Sequence, residues 1–157
     1  MPTTHITKAD FSHFSEYPTR WNDNDQYGHL NNAIYYHYFD SVINDYLIKH
    51  CGLTGNPSTT PIIGLVVSSY CEFYAPVSFP QTLVLGLSAT KIGRSSVTYE
   101  VGVFQKGKED GRPVAVGGYT HVFVDSVSRK SLSIATHADL QHGLERIARH
   151  PSITSKL

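Results

Sequence analysis

Residues 33–50 read AIYYHYFDSVINDYLIKH, and how this stretch folds decides the architecture of the chain. Tyr35, Tyr38, Phe39, Val42, Ile43, Tyr46 and Leu47 recur at three- and four-residue intervals, the spacing of one apolar helix face. His37, Ser41, Asn44, Asp45 and Lys49 fall on the other side, with Asp45 and Lys49 placed for an i,i+4 ion pair. Asn31 is a suitable N-cap and Gly52 a suitable stop. One long helix is expected over Ala33–His50. Its tyrosines fill a thick core if strands cover the helix on several sides.

Beyond the helix, a turn-rich stretch (Gly52 to Pro61) hands over to β-rich segments at Ile62–Tyr74, Thr82–Ala89, Ser95–Gln105 and Pro113–Asp125. The third alternates most clearly: Val97, Tyr99, Val101 and Val103 against Ser96, Thr98, Glu100 and Gly102. Pro76, Pro80, Gly93, Gly107 and Gly111 punctuate the joins. Before the helix, Glu16–Trp21 reads as a first strand. Tyr17 and Trp21 are its bulky contacts, and Pro18 suits an edge. Residues 1–13 read as a loose lead-in and Asp139–Arg149 as a short terminal helix. A strand, a long helix and four strands joined by turns make an α+β fold, an antiparallel sheet with one helix packed on it. The length of 157 residues fits one domain, 1–157.

Composition excludes several classes. Thirteen basic residues balance thirteen acidic ones, which argues against a general nucleic-acid binder. No apolar run is long enough to span a membrane, and Met1–Asp10 lacks the pattern of a signal peptide. Cys51 and Cys71 are too few for a disulfide scaffold, so a reducing, cytoplasmic setting is expected. No dinucleotide or Walker string occurs. His137 and His142 lack partner cysteines for zinc. The loop from Asp23 places Tyr27 and Ile34 where a calcium loop needs oxygen ligands, so no metal and no cofactor is expected.

What remains is the string from Arg20 to Asn32, RWNDNDQYGHLNN. It sets two carboxylates, a glycine, a histidine and two asparagines immediately before the long helix. Unpaired N–H groups at a helix start suit a carbonyl oxygen that becomes an oxyanion. A carboxylate just upstream can curl back as nucleophile or base. The combination fits acyl transfer. The same residues also suit a helix cap and turn, and residue types alone leave both readings open.

Asp23-x-Asp25-x-x-Gly28-His29-x-Asn31-Asn32-x-x-Tyr35 resembles the signature of the 4-hydroxybenzoyl-CoA thioesterase-like branch of the hotdog-fold superfamily. Residues 72–77, 91–97 and 114–120 are similar to that family's later strands, in the same order, so the resemblance spans about Tyr17–Arg129. It implies a hotdog fold, a long central helix wrapped by an antiparallel sheet. It implies an acyl-CoA thioesterase that releases a carboxylate and free CoA, with Asp25 as nucleophile or general base and the amide of Asn32 polarising the carbonyl. Asp23 then belongs to loop structure, and Gly28 permits the tight turn. His29 and Asn31 also resemble the plant acyl-carrier-protein thioesterases, whose D-x-N-x-H-V-N-N string has its first Asn at Tyr27 here. His29 is the third catalytic candidate. Gly28, Asn31, Arg94, Ser95 and Ser96 are the substrate-binding candidates, with Lys91, Arg129 and Lys130 as further cations for the CoA phosphates. Alternatives are an acyl-ACP thioesterase, a non-catalytic acyl-CoA-binding module and, for want of a suitable His–acid pair the least supported, a dehydratase. The resemblance also implies a homodimer or homotetramer with Asp25 near a subunit boundary. The need to cover a long sheet edge points the same way.

Overall fold

The computed structural model describes residues 5–149 except Pro57. Its strands are β1 (His13–Pro18), β2 (Ile62–Phe73), β3 (Thr82–Ile92), β4 (Ser96–Gln105) and β5 (Ala115–Asp125). The helices are α1 (Ile34–His50) and α2 (Ala138–Arg146). The strands form one antiparallel sheet in the order β1-β3-β4-β5-β2. The α+β architecture expected from the helix stripe is the one observed. Among the described residues no helix is long and apolar enough to cross a membrane.

All seven stripe residues of α1 are buried, and Asp45 pairs with Lys49 at 2.9 Å. The stripe packs with Leu83, Leu85 and Leu87 of β3 and Val97, Tyr99, Val101 and Val103 of β4 in a single core, which Leu140 and Leu144 of α2 complete. Each such side chain contributes roughly 1.5–3 kcal/mol by leaving water. Gly52, at φ +75°, ends the helix as expected.

Three expectations are corrected. The first strand lies at His13–Pro18, not Glu16–Trp21. Arg20 and Asp23 bond to each other, N–H to carboxylate at 2.9 Å, which winds Trp21–Asp23 into a 3₁₀ turn and leaves Trp21 82% exposed. Pro18 does lie on an edge strand, at its last residue. Asn31 does not cap α1 directly. Its Oδ1 and carbonyl accept the N–H groups of Ala33 and Ile34, both at 2.9 Å, so it holds the turn that feeds the helix. Nor is the lead-in loose over its described part. Phe11 packs with Val84 and Phe104 on the outer face of the sheet, and Ser88 Oγ donates to the Asp10 carbonyl. Gly86 and Gly102 make that possible, since a Cβ on either would stand 2.7 or 2.5 Å from the Phe11 ring. Residues 1–4 lie outside the described residues.

The two edges of the sheet differ. β1 is six residues long, whereas β2 is twelve and leaves Val66 50%, Val67 60% and Tyr70 40% exposed.

Candidate active site

The loop before α1 is built on Asp23. This side chain is buried, and its oxygens accept bonds from Tyr38 Oη, the Arg20 N–H at 2.9 Å and the Arg20 guanidinium at 3.1 and 3.2 Å. Burial by itself raises a carboxyl pKa; here the bonds from Tyr38 and Arg20 outweigh it and hold Asp23 below its ordinary value. Burial and the Asp23 charge raise Tyr38 in turn. The Asp23 carbonyl accepts the Asn31 N–H at 2.9 Å. Asp23 is therefore the loop's structural acid, as the family resemblance implies.

Two residues on, Asp25 is placed otherwise. Its N–H donates to the His29 carbonyl at 2.8 Å and its carbonyl accepts the Gly28 N–H at 3.1 Å, closing a turn that Gly28 permits at φ +79°. Its Oδ1 accepts only the Tyr27 N–H, at 2.8 Å, and among the described residues nothing donates to Oδ2. The turn is docked from below: Leu30 N–H donates to the Val77 carbonyl and Ser78 Oγ to the Gly28 carbonyl, both at 2.7 Å. Asn24 Oδ1 accepts the Phe79 N–H at 3.1 Å.

Asp25 lines a cleft of about 450 Å³ together with Tyr27, His29, Leu30, Asn32 and Tyr35. The opposite wall is Phe73, Tyr74, Ala75 and Pro76, at and just beyond the end of β2. The Tyr35 and Phe73 rings meet edge to face at 5.1 Å. Burial pushes the Tyr35 phenol up to about 12, so at neutral pH it stays protonated. The Asn32 N–H has no acceptor among the described residues, whereas those of Ala33 and Ile34 are taken by Asn31. An anionic oxygen acceptor, a turn that fixes it and a free amide at a helix start thus share one cleft. That set can attack, or activate water against, a carbonyl whose oxygen rests on the amide.

The structure brings Asp25, His29 and Asn32 together, with Gly28 and Asn31 shaping the same loop. The His29 ring makes no hydrogen bond to Asp25; its carbonyl is what holds the Asp25 N–H. Arg94, Ser95 and Ser96 lie elsewhere in the chain. Arg94 and Ser95 sit in the β3–β4 turn, tied to Ile134 and Phe123 by backbone bonds of 2.8 Å each, and Ser96 opens β4. Ser96 faces Val122, which faces Leu65, eight residues before the cleft residue Phe73. The strand rise puts roughly 25 Å between them along the sheet. Lys91, Arg129 and Lys130 stand at that same far end. Sequence reasoning missed Tyr74 as a cleft residue, and with it Arg112, whose guanidinium stacks over the Tyr74 ring at 4.1 Å. Among the described residues no group of three or more His, Cys, Asp or Glu is arranged to hold a metal.

A helix wrapped by five antiparallel strands, with a polar loop at the helix start, is the hotdog arrangement, and comparison with known proteins agrees. Residues 27–111 match the thioesterase superfamily, and the chain belongs to that family. The matched segment starts two residues after Asp25. The chain is similar to the PA5185 protein of Pseudomonas aeruginosa strain PAO1, with 40% identity and a TM-score of 0.84 over 92% of this chain and 96% of that one. It resembles the PA2801 protein of Pseudomonas aeruginosa at 26% identity and a TM-score of 0.70, over 79% of this chain and 92% of that one. It also resembles YsmA of Bacillus subtilis (strain 168), 27% identical over 126 residues, 80% of this chain and 82% of that protein.

Proposed function

We propose that this protein is an acyl-CoA thioesterase of the 4-hydroxybenzoyl-CoA thioesterase-like branch, with Asp25 as its catalytic carboxylate. The observation that carries the reading is the shared cleft, in which the lightly engaged Asp25 carboxylate and the unpaired Asn32 N–H stand at the start of α1. Membership of the thioesterase superfamily supports it. Asp25 either attacks the thioester carbonyl carbon, or takes a proton from a water that does so. In both cases a C–O bond forms, the Asn32 amide holds the developing oxyanion, and the C–S bond breaks to release CoA as thiolate. In the general-base route the thiolate takes the proton that Asp25 drew from water. In the nucleophilic route water then hydrolyses the acyl-Asp25 anhydride, freeing the carboxylic acid and Asp25 and supplying that proton.

The working unit is a dimer at least, joined along β2. That edge is long, apolar and exposed, a template for a second strand. Antiparallel pairing of β2 with its copy would put the Arg94–Ser96 turn of the second copy at the end of the sheet that holds the first copy's cleft. It would then stand about three strand spacings away, roughly 15 Å. In that dimer the candidate phosphate-binding turn comes closer to the cleft across the subunit boundary than it does within one chain.

The test is free-thiol release from short, long and aromatic acyl-CoAs. Sustained turnover on at least one class supports the reading, and no thiol release from any of them overturns it. Light scattering on a sizing column tests the assembly: a fully active species at the single-chain mass of 17.4 kDa contradicts it.

A further inference from the structure

We propose that Arg112 is the anchor, within the same chain, for a phosphate on the thiol carrier; the inference rests on the thioester reading of the Asp25 cleft. Arg112 lies in the β4–β5 connection, three residues before β5, and the backbone around it is held. The Val114 carbonyl accepts the N–H groups of both Tyr74 and Ala75, at 2.8 and 3.1 Å, tying this connection to the cleft wall. Pro113 is buried and restricts the residue before it to extended backbone. The guanidinium then lies over the Tyr74 ring at 4.1 Å, and Tyr74 itself lines the cleft with Asp25. Tyr74 is fixed from its other end, where its Oη donates to Glu72 at 2.7 Å.

The placement matters because the charge is organised beside the cleft and no carboxylate pairs with it within salt-bridge distance among the described residues, although Tyr74, which it stacks on, also bonds Glu72. Arg20 is committed to Asp23, Lys106 to Glu16 and Arg149 to Glu100, whereas Arg112 makes no ion pair among the described residues. Stacking uses the flat face of a guanidinium and leaves its edge of N–H donors free. A planar set of donors at the lip of a cleft matches the oxygens of a phosphate. It lies beside Tyr74, a lining residue of the cleft, within reach of a carrier that extends from it. Phosphopantetheine supplies such a phosphate whether it belongs to CoA or to an acyl carrier protein, so the chemistry is shared and the source is a question for experiment.

Calorimetric titration of CoA, 4′-phosphopantetheine and pantetheine into the wild type and Arg112→Gln tests it without requiring turnover. The expected result is about tenfold weaker binding of the phosphate-bearing ligands, the size of one exposed charge-assisted bond, and unchanged binding of pantetheine. Arg112→Lys should recover part of the loss, and Tyr74→Leu, which removes the platform, should reproduce part of it. A loss already present with 4′-phosphopantetheine assigns the phosphate that CoA and a carrier protein share. A loss confined to CoA assigns one that CoA alone carries. Equal weakening of pantetheine, no weakening of any ligand, or a wild type that does not bind CoA overturns the proposal. Thiol release, measured separately, reports on Asp25, so failure of the thioesterase reading and failure of this one are distinguishable.

Discussion

Asp23 and Asp25 are two residues apart on one loop and are treated by the fold as opposites. Asp23 is 1% exposed, and its two oxygens receive Arg20 and Tyr38. Asp25 stands on a cleft wall with a single donor, the Tyr27 N–H. A carboxylate that is fully satisfied stabilises its surroundings and is a poor nucleophile or base, since each bond it accepts favours its resting charge. One that keeps lone pairs free in a partly enclosed site retains its reactivity. On the proposed function, the loop separates structure from chemistry between two otherwise identical side chains. Variants that alter one residue's surroundings without the other's can break that division.

The largest effect expected from such a variant is at Gly28. A Cβ there meets nothing within 4 Å, so the only objection to a side chain is the φ of +79°. Gly28→Val should displace the Asp25 carboxylate while leaving the Asp23 bonds in place. A misplacement of about 1 Å costs roughly 10²-fold in turnover. Steady-state thiol release checks this, and Gly28→Val at wild-type rate with native stability would dissolve the link between the turn and the acid.

His121, buried like Asp23, sharpens the contrast. It is 2% exposed against Tyr99, and burial lowers its pKa from 6.5 to about 4, with only Asp40 pulling the other way. Between those two values the unfolded chain binds a proton that the folded chain refuses, so stability falls as pH drops through that window and levels off below it. The loss is about 3 kcal/mol. Denaturant midpoints from pH 7 to pH 4 should show this slope, and His121→Phe should reduce it, leaving the part that His13, also lowered by burial, contributes. Asp23 acts in a lower window: its folded pKa lies below 3.8, so the stability it lends is full above that value and disappears as pH falls through the folded pKa.

The smallest of these effects is Asp23→Ala, expected to cost about 2 kcal/mol because the buried Tyr38 hydroxyl loses its acceptor. Arg20 is largely exposed and returns to water without much penalty. Urea midpoints measure the cost. At a temperature where the variant is folded its turnover should remain within a few-fold of wild type.

The helix was legible because its seven apolar residues obey one period, and all seven are buried. The interior strand β4 was legible for the same reason, with Val97, Tyr99, Val101 and Val103 alternating inward and fully buried. Local pattern did less for the first strand, since the Arg20–Asp23 bond that curls residues 21–23 away from it is a matter of side-chain geometry. In the site, the order of residues from Asp23 to Asn32 placed the loop against the helix start. Which of Arg94, Arg112, Arg129 and Lys130 stands near it depends on strand register, and register is set by pairings such as Ser96 with Val122 that no local stretch encodes. Arg112 was invisible for a related reason: its position comes from the Val114 carbonyl, which bonds a segment forty residues earlier.

The central claim is that Asp25, and not Asp23, performs the chemistry. Thiol release from the preferred acyl-CoA, measured side by side for the wild type, Asp25→Asn and Asp23→Asn with thermal melts on the same samples, tests it most directly. Asp25→Asn keeps the shape and removes the charge and the basic oxygen. It should lose about 10²–10⁴-fold in turnover, more if Asp25 is the nucleophile, with an unchanged melting temperature. Asp23→Asn should keep most of its turnover and melt earlier. Near-normal thiol release by Asp25→Asn would contradict the account.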